Sequence, residues 1–217
     1  MKVSIIISVF NGERFIGRAI RSCIGQSMSK EYYEIIVVND GSTDNTKHIL
    51  ESFGDWIRVI TLEKNMGLPY ACNIGIKKAL SRYVIRVDAD DYVHQDILTV
   101  ASLHLDYNNN IDCVACDYNK VDDEENSLGR FSAEKHPIAC GILFRKDRLL
   151  DIGLYDENFH LGEDEDLRIR FLKKHSITYI PLPLYRYRMH ENNSTKNKHR
   201  VGEFKQKLKD KHNIYPR

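Results

Sequence analysis

A chain of 217 residues with 42% hydrophobic and 29% charged side chains has the composition of one folded α/β domain with a sizeable core, which excludes a wholly disordered chain and a disulfide-stapled miniprotein. The net charge of +1 gives no reason to expect a nucleic-acid partner. No apolar run nears the roughly 18 residues of a membrane span, and residues 3–9 are too short for a secretory core and end in polar positions, so a cytoplasmic protein is expected.

Residues 2–9 form a continuous apolar run, the pattern of a strand buried in a parallel sheet. Asn11-Gly12 turns the chain into a helix whose apolar positions Phe15, Ile16, Ala19, Ile20 and Cys23 follow a helical period. Residues 34–38 are a second strand ending in Asn39-Asp40-Gly41-Ser42-Thr43-Asp44, and Ile49, Leu50 and Phe53 mark a second helix. A third strand is expected over 56–62, a helix from Asn65-Met66-Gly67-Leu68-Pro69 to about 80, and a fourth strand over 83–87. This alternation means βαβ units: a mostly parallel central sheet with helices on both faces. A helix over about 95–107 follows, then strands at 111–118 and 138–144 around a polar loop at 122–130, with 128–139 expected to act as a lid over a bound ligand. A helical pattern through Leu167, Phe171 and Leu172 comes after Glu163-Asp164-Glu165-Asp166.

Candidate chemistry gathers where the strands end, since parallel sheets bind ligands at the carboxyl ends of their strands. Asn11 and Glu13 follow the first strand, Asp40 the second, and Asp88, Asp90 and Asp91 the fourth. Alternation puts Asp88 and Asp90 on the same side, where two carboxylates repel unless a positive group sits between them. Hard oxygen ligands favour Mg²⁺ or Mn²⁺ bridged to a substrate diphosphate. Asp90-Asp91 would also serve as the N-cap and first turn of the next helix, and the acids at 163–166 as a first turn complementing its helix dipole, which would lower the pKa of Asp164. Phosphate-cradling glycine motifs are missing, which argues against an ATPase or a dehydrogenase.

Five cysteines, an odd number in apolar stretches, read as reduced, packed thiols. Cys113 and Cys116 lie in an apparent strand whose alternation points them to opposite faces. From Lys196 onward eight Lys/Arg stand against two Asp/Glu, leaving 24 against 29 before it. Val201, Phe204 and Leu208 recur through that basic tail at helical spacing, a stripe suited either to docking on the body or to peripheral contact with an anionic inner membrane face.

Taken together, Ser8-Val-Phe-Asn11-Gly-Glu13, Val37-Val-Asn-Asp40-Gly-Ser-Thr-Asp44, Asn65-Met-Gly-Leu-Pro-Tyr-Ala-Cys-Asn73-Ile-Gly75, Val87-Asp88-Ala-Asp90-Asp91 and Gly162-Glu163-Asp164-Glu-Asp-Leu167-Arg-Ile-Arg170 resemble the inverting glycosyltransferases of family two with the GT-A fold. The resemblance implies a single GT-A (Rossmann-like) domain over 1–195, with a nucleotide-sugar half to about 107, an acceptor half from about 108, and a basic helical tail over 196–217. It implies transfer of a sugar from a nucleoside-diphosphate sugar, UDP favoured, to a hydroxyl of a saccharide or lipid-linked saccharide. Ser8, Phe10, Asn11, Glu13, Asp40, Asn65, Asp88 and Glu163 would bind substrate, with Asp40 on the nucleobase and Asp88 on the ribose or donor sugar. Asp90, with Asp88 and His190, would hold Mn²⁺ or Mg²⁺, His190 closing over the diphosphate or completing the metal shell, and Asp164 would be the catalytic base. Two departures are Cys72, where the family usually has a nucleotide-holding arginine, and Ser8, where it often has proline. The other readings are a non-catalytic nucleotide-sugar-binding module and a D-x-D phosphatase.

Overall fold

The computed structural model describes residues 1–159, 161–190 and 198–213. In chain order the elements are β1 Val3–Val9, α1 Ile16–Ile24, β2 Tyr33–Asn39, α2 Thr46–Glu51, β3 Arg58–Thr61, α3 Leu68–Lys78, β4 Tyr83–Arg86, β5 Tyr92–Val93, α4 Ile97–Tyr107, β6 Cys113–Val121, β7 Ser127–Phe131, β8 Ile142–Arg145, α5 Lys146–Asp151, α6 Glu163–Leu172, β9 Ile177–Arg188 and α7 Lys198–His212. All seven residues of β1 are buried because it lies inside the sheet with helices over both faces. Ile5 and Ile7 point into the core beneath α1 and α4, and Ile6 into the core beneath α3 and α6. Each such side chain contributes about 1.5–3 kcal/mol of burial.

The strand order is β3-β2-β1-β4-β8-β6-β9-β5, with β7 also on β6. The first four strands pair in parallel, as their helical crossovers require. Beyond them the sheet is mixed rather than mostly parallel. Strand β8 enters antiparallel between β4 and β6, while β6 and β9 pair in parallel. Strand β9 had no counterpart among the expected strands, since Pro181 and Pro183 argue against a strand interior. The prolines are accommodated because the β6–β9 register shifts there, from Cys116 opposite Ile180 to Asp117 opposite Pro183.

The expected lid at 128–139 is corrected in part: Ser127–Phe131 is strand β7, paired with β6 and fastened by Arg130, which bonds Asp117 Oδ2 at 2.6 Å and the Pro181 carbonyl at 2.6 Å. Cys113 and Cys116 face opposite cores as alternation requires, and all five cysteines are free and buried. The tail helix α7 docks on the body. Leu208 is buried, the Phe204 ring stands 6.3 Å from Phe159, and Lys211 reaches Asp156 at 2.7 Å and Asp166 at 2.6 Å. Gly162, at φ 73°, leaves no room for a Cβ against Phe204, so both the backbone turn into α6 and the seat of α7 require glycine there. The Val201 side chain and residues 191–197 lie outside the described residues. Among the described residues no helix is long and apolar enough to cross a membrane.

Candidate active site

Three loops at the carboxyl ends of β1, β2 and β3 interlock through side chains that accept backbone N–H bonds. Asn11, at φ 51°, accepts from the Thr43 amide at 2.8 Å, and Glu13 Oε2 accepts from the Asn45 amide at 2.9 Å. Asp40 is buried and places one oxygen on the Met66 amide at 2.7 Å and the other on the Gly67 amide at 2.9 Å, while Asn65 Oδ1 accepts from Gly67 at 3.0 Å. Gly41, at φ 72°, admits the close approach of the Lys64 backbone, where a Cβ would meet it at 2.5 Å. Asp40 is thus the keystone of these loops, and each of its oxygens keeps a lone pair for a ligand. Ser8 Oγ sits 3.3 Å from Cys72 Sγ beneath them, and the Phe10 side chain is exposed.

Beyond β4 the three aspartates separate into different roles. The Arg86 guanidinium holds Asp88 through both carboxylate oxygens, Nε to Oδ1 at 2.6 Å and Nη2 to Oδ2 at 3.2 Å. Asp90 Oδ2 meets His190 Nε2 at 2.8 Å, and the His190 ring stands 5.0 Å from Phe15. Burial raises the pKa of Asp90, and the charge of Asp88 raises it further, so the repulsion expected from the spacing is present. Asp91 is not the helix cap; that position falls to Asp96. Asp91 is buried, accepting from the Arg188 amide at 2.7 Å and the Tyr185 hydroxyl at 2.8 Å, and it fastens the strand end to β9.

Glu163 and Asp164 open α6, and the loop before it is clamped by Asn73 of α3. The Asn73 amide donates to the Tyr155 carbonyl and to Glu157 Oε1, both at 2.9 Å, and its oxygen accepts from the Tyr155 amide at 3.0 Å. Glu163 is buried against Arg86 Nη1 at 2.9 Å. Asp164 is half-buried and borders a small pocket with Ile138, Ile142, Leu167, Arg168 and Phe171. Among the described residues no side chain bonds to its carboxylate. Its pKa is raised, against the lowering expected from the helix dipole: burial dominates, and the Arg86 charge and the amides of the first turn offset it only in part.

Two groups of residues could hold a divalent cation: Asp88 with Asp91 and Cys140, and Asp90 beside His190. Asp88, Asp91 and Cys140 bring ligand atoms within 4.8 Å of one another; there Arg86 already forks onto Asp88, Asp91 accepts from the Arg188 amide and the Tyr185 hydroxyl, and burial pushes the Cys140 thiol well above its ordinary value. Asp90 has one oxygen on a histidine and, among the described residues, no side-chain partner on the other; a hard cation there would relieve its repulsion with Asp88. His190 is therefore next to the expected metal ligand. Residues to which the sequence reading gave no role are Arg86, Arg188 and Asn73. Arg188 donates to the Asp90 carbonyl at 3.0 Å. The available signal was charge in an unusual place: an arginine as the last residue of an otherwise apolar buried strand requires carboxylate partners. Near Cys72, where burial pushes the thiol up to about 11, Arg86 is the principal cation pulling it back.

A strand-end acid cluster on a mixed α/β sheet, faced by an acidic helix start, is the architecture of GT-A glycosyltransferases. The glycosyl transferase family 2 model matches residues 4–167, and the chain belongs to that family. It is 33% identical over 211 residues to an uncharacterized glycosyltransferase of Rickettsia typhi, covering 89% of this chain and 65% of the relative. It is 32% identical over 185 residues to a poly(ribitol-phosphate) beta-glucosyltransferase of Bacillus spizizenii, covering 82% of this chain and 27% of that protein. The chain thus spans less than two thirds of these relatives. Residues 1–349 of Staphylococcus aureus TarS in complex with UDP-GlcNAc superpose with a TM-score of 0.80 at 23% identity, covering 91% of this chain and 61% of that one. A Pyrobaculum calidifontis mannosyltransferase with GDP-Man and Mn²⁺ superposes with a TM-score of 0.77 at 16% identity, covering 100% and 65%. Both likenesses concern the fold.

Proposed function

We propose that the protein transfers a sugar from a UDP-sugar to a hydroxyl of a saccharide or lipid-linked saccharide acceptor, with inversion and with dependence on Mn²⁺ or Mg²⁺. One observation carries this reading. Asp88, Asp90, Asp91 and Glu163 each engage a side-chain partner, whereas Asp164 has none among the described residues and holds its proton more tightly than an ordinary carboxylate. A raised pKa brings a carboxylate closer to what a general base needs. The acceptor oxygen attacks the anomeric carbon, the bond to the diphosphate breaks with its electron pair on the diphosphate oxygen, and the hydroxyl proton passes to Asp164. A single displacement inverts the anomeric centre.

Asp90, Asp88 and His190 would hold the cation, which when bound stabilises the negative charge of the departing diphosphate as a Lewis acid. Asp40 retains lone pairs suited to a uracil-type N–H. The UDP and UDP-GlcNAc bound to TarS support a UDP-sugar donor, and the names of the poly(ribitol-phosphate) relatives support a hydroxyl-rich polymer as acceptor. Five free, buried thiols support a reducing, cytoplasmic setting. The docked face of α7 leaves its apolar stripe, as far as described, on the body rather than on a membrane.

The test is a panel of UDP-, GDP-, ADP- and dTDP-sugars with and without Mn²⁺, read by thermal shift and by release of the nucleoside diphosphate. UDP compounds should stabilise most, since a ligand that binds only the native state raises its stability with concentration. A UDP-sugar should release UDP with Mn²⁺ present. Inorganic phosphate release instead would favour the phosphatase, and binding without turnover the non-catalytic module.

A further inference from the structure

Arg86 is the last residue of β4, a strand otherwise made of Tyr83, Val84 and Ile85, and it is almost wholly buried. All three of its guanidinium nitrogens are used. Two fork onto Asp88, at 2.6 and 3.2 Å, and the third reaches Glu163 Oε1 at 2.9 Å. Its Cζ lies 5.8 Å from the Tyr155 ring, which the Asn73 clamp holds in place. Asp88 and Glu163 are far apart in sequence and belong to different walls of the site, one at the end of β4 and one at the start of α6. Among the described residues Arg86 is the side chain that joins them.

We propose that Arg86 is a positioning residue, a two-armed tie that fixes the donor-side carboxylate Asp88 against the start of α6 and so sets where Asp164 stands relative to the donor. This rests on the glycosyl-transfer reading above. The geometry suits arginine in particular, because a planar fork satisfies a bidentate carboxylate and a second acid at once, whereas a lysine ammonium is a point charge that satisfies one arm well. Charge adds to geometry. Asp88, Glu163 and Asp164 are three acids around one buried cation, and without it they would repel one another in a poorly solvated place. The Asp88 arm serves donor binding. The Glu163 arm serves the placement of the base, one residue on.

The Glu163 arm can be cut alone or together with the Asp88 arm. Glu163→Ala removes the α6 arm and leaves the fork on Asp88, so kcat for UDP release from the UDP-sugar that turns over in the panel above, with water as acceptor, should fall by about 10²-fold, the cost of a misplacement near 1 Å. The donor KM should change far less. Arg86→Met cuts both arms, so kcat should fall and KM should rise together. Arg86→Lys should recover KM more than kcat. In the double variant the kcat losses should be strongly non-additive, because both substitutions break the same tie. A merely structural Arg86 would lower the melting temperature with no such split between kcat and KM. Fully additive kcat losses, or a Glu163→Ala variant whose kcat matches the wild type, would overturn the assignment while leaving the glycosyl-transfer reading standing. Should Arg86→Met not fold, the Glu163→Ala and Arg86→Lys pair decides the same question. A wild-type protein that turns over no nucleotide sugar would take down both.

Discussion

The two walls of the site are built on different principles. On the donor wall, formed by the loops after β1, β2 and β3, the side chains of Asn11, Glu13, Asp40 and Asn65 accept hydrogen bonds from backbone amides, most of them on a neighbouring loop. On the opposite wall the acids are met by cationic side chains: Arg86 on Glu163, and Lys211, His212 and, one helical turn on, Arg170 on Asp166. Asp164 stands between the two arrangements without a side-chain partner among the described residues. A carboxylate that holds amides is scaffold first, and its ligand must use what lone pairs remain. One that is left unpaired at a helix start, with its proton affinity raised, is available for proton transfer. Asp88 and Asp90 lie at the junction, each already carrying one cationic or potentially cationic partner.

The largest effect that would sharpen this contrast is at the junction. Asp90→Ala should cut Mn²⁺-dependent UDP release by about 10³-fold or more, because it removes a ligand of the charge that stabilises the leaving group. The fold should persist, since the buried ties of the strand end belong to Asp91. Undiminished turnover by this variant, or wild-type activity unaffected by EDTA, would break the metal assignment. On the donor wall, Asp40→Ala should lose about 1–3 kcal/mol of stability, measured by urea unfolding, because the Met66 and Gly67 amides lose their acceptor. The same variant should lose the thermal shift given by UDP. A stability equal to wild type would show that Asp40 is not the keystone of these loops.

The smallest effect concerns α7. Burial raises the pKa of Asp166, but hydrogen bonds from Lys211, His212 and Arg170 outweigh it and leave the pKa lowered. A depressed carboxylate contributes stability that is present above its unfolded value of about 3.9 and is lost as pH falls through the folded value. His212→Ala should therefore cost about 0.5–1.5 kcal/mol at pH 7, with the difference from wild type shrinking below about pH 4 as Asp166 protonates. A deficit that stays constant down to acid unfolding would mean that His212 contributes by packing alone.

The donor half was legible in the sequence because its elements alternate on a regular pattern: β1 is continuously apolar, α1 has a clean helical stripe, and each strand ends in polar residues. The acceptor half was not, because its order comes from pairings between distant segments. Strand β9 carries two prolines that only its shifted register with β6 can absorb, and β7 reads as a polar loop until Arg130 and Asp117 fasten it. In the site, the acids were visible as residue types at strand ends, but their division of labour was not. Asp90 and Asp91 are adjacent and chemically identical, and only the Arg188 amide and Tyr185 hydroxyl reveal Asp91 as structural. The direction of the Asp164 pKa was missed because the helix dipole can be read from sequence and burial cannot.

The central claim is that Asp164 is the base, and its most direct test is Asp164→Asn assayed beside the wild type across pH with the UDP-sugar that turns over. Asparagine keeps the size and hydrogen-bonding capacity of the side chain but cannot take up the acceptor proton, so kcat should fall by about 10²–10⁴-fold while UDP affinity holds. In the wild type, kcat/KM should decline as pH falls through a value above the ordinary aspartate range, because the raised pKa of Asp164 leaves it protonated there, and that acid limb should vanish in the variant. Near-normal turnover by Asp164→Asn with the acid limb intact would contradict the account.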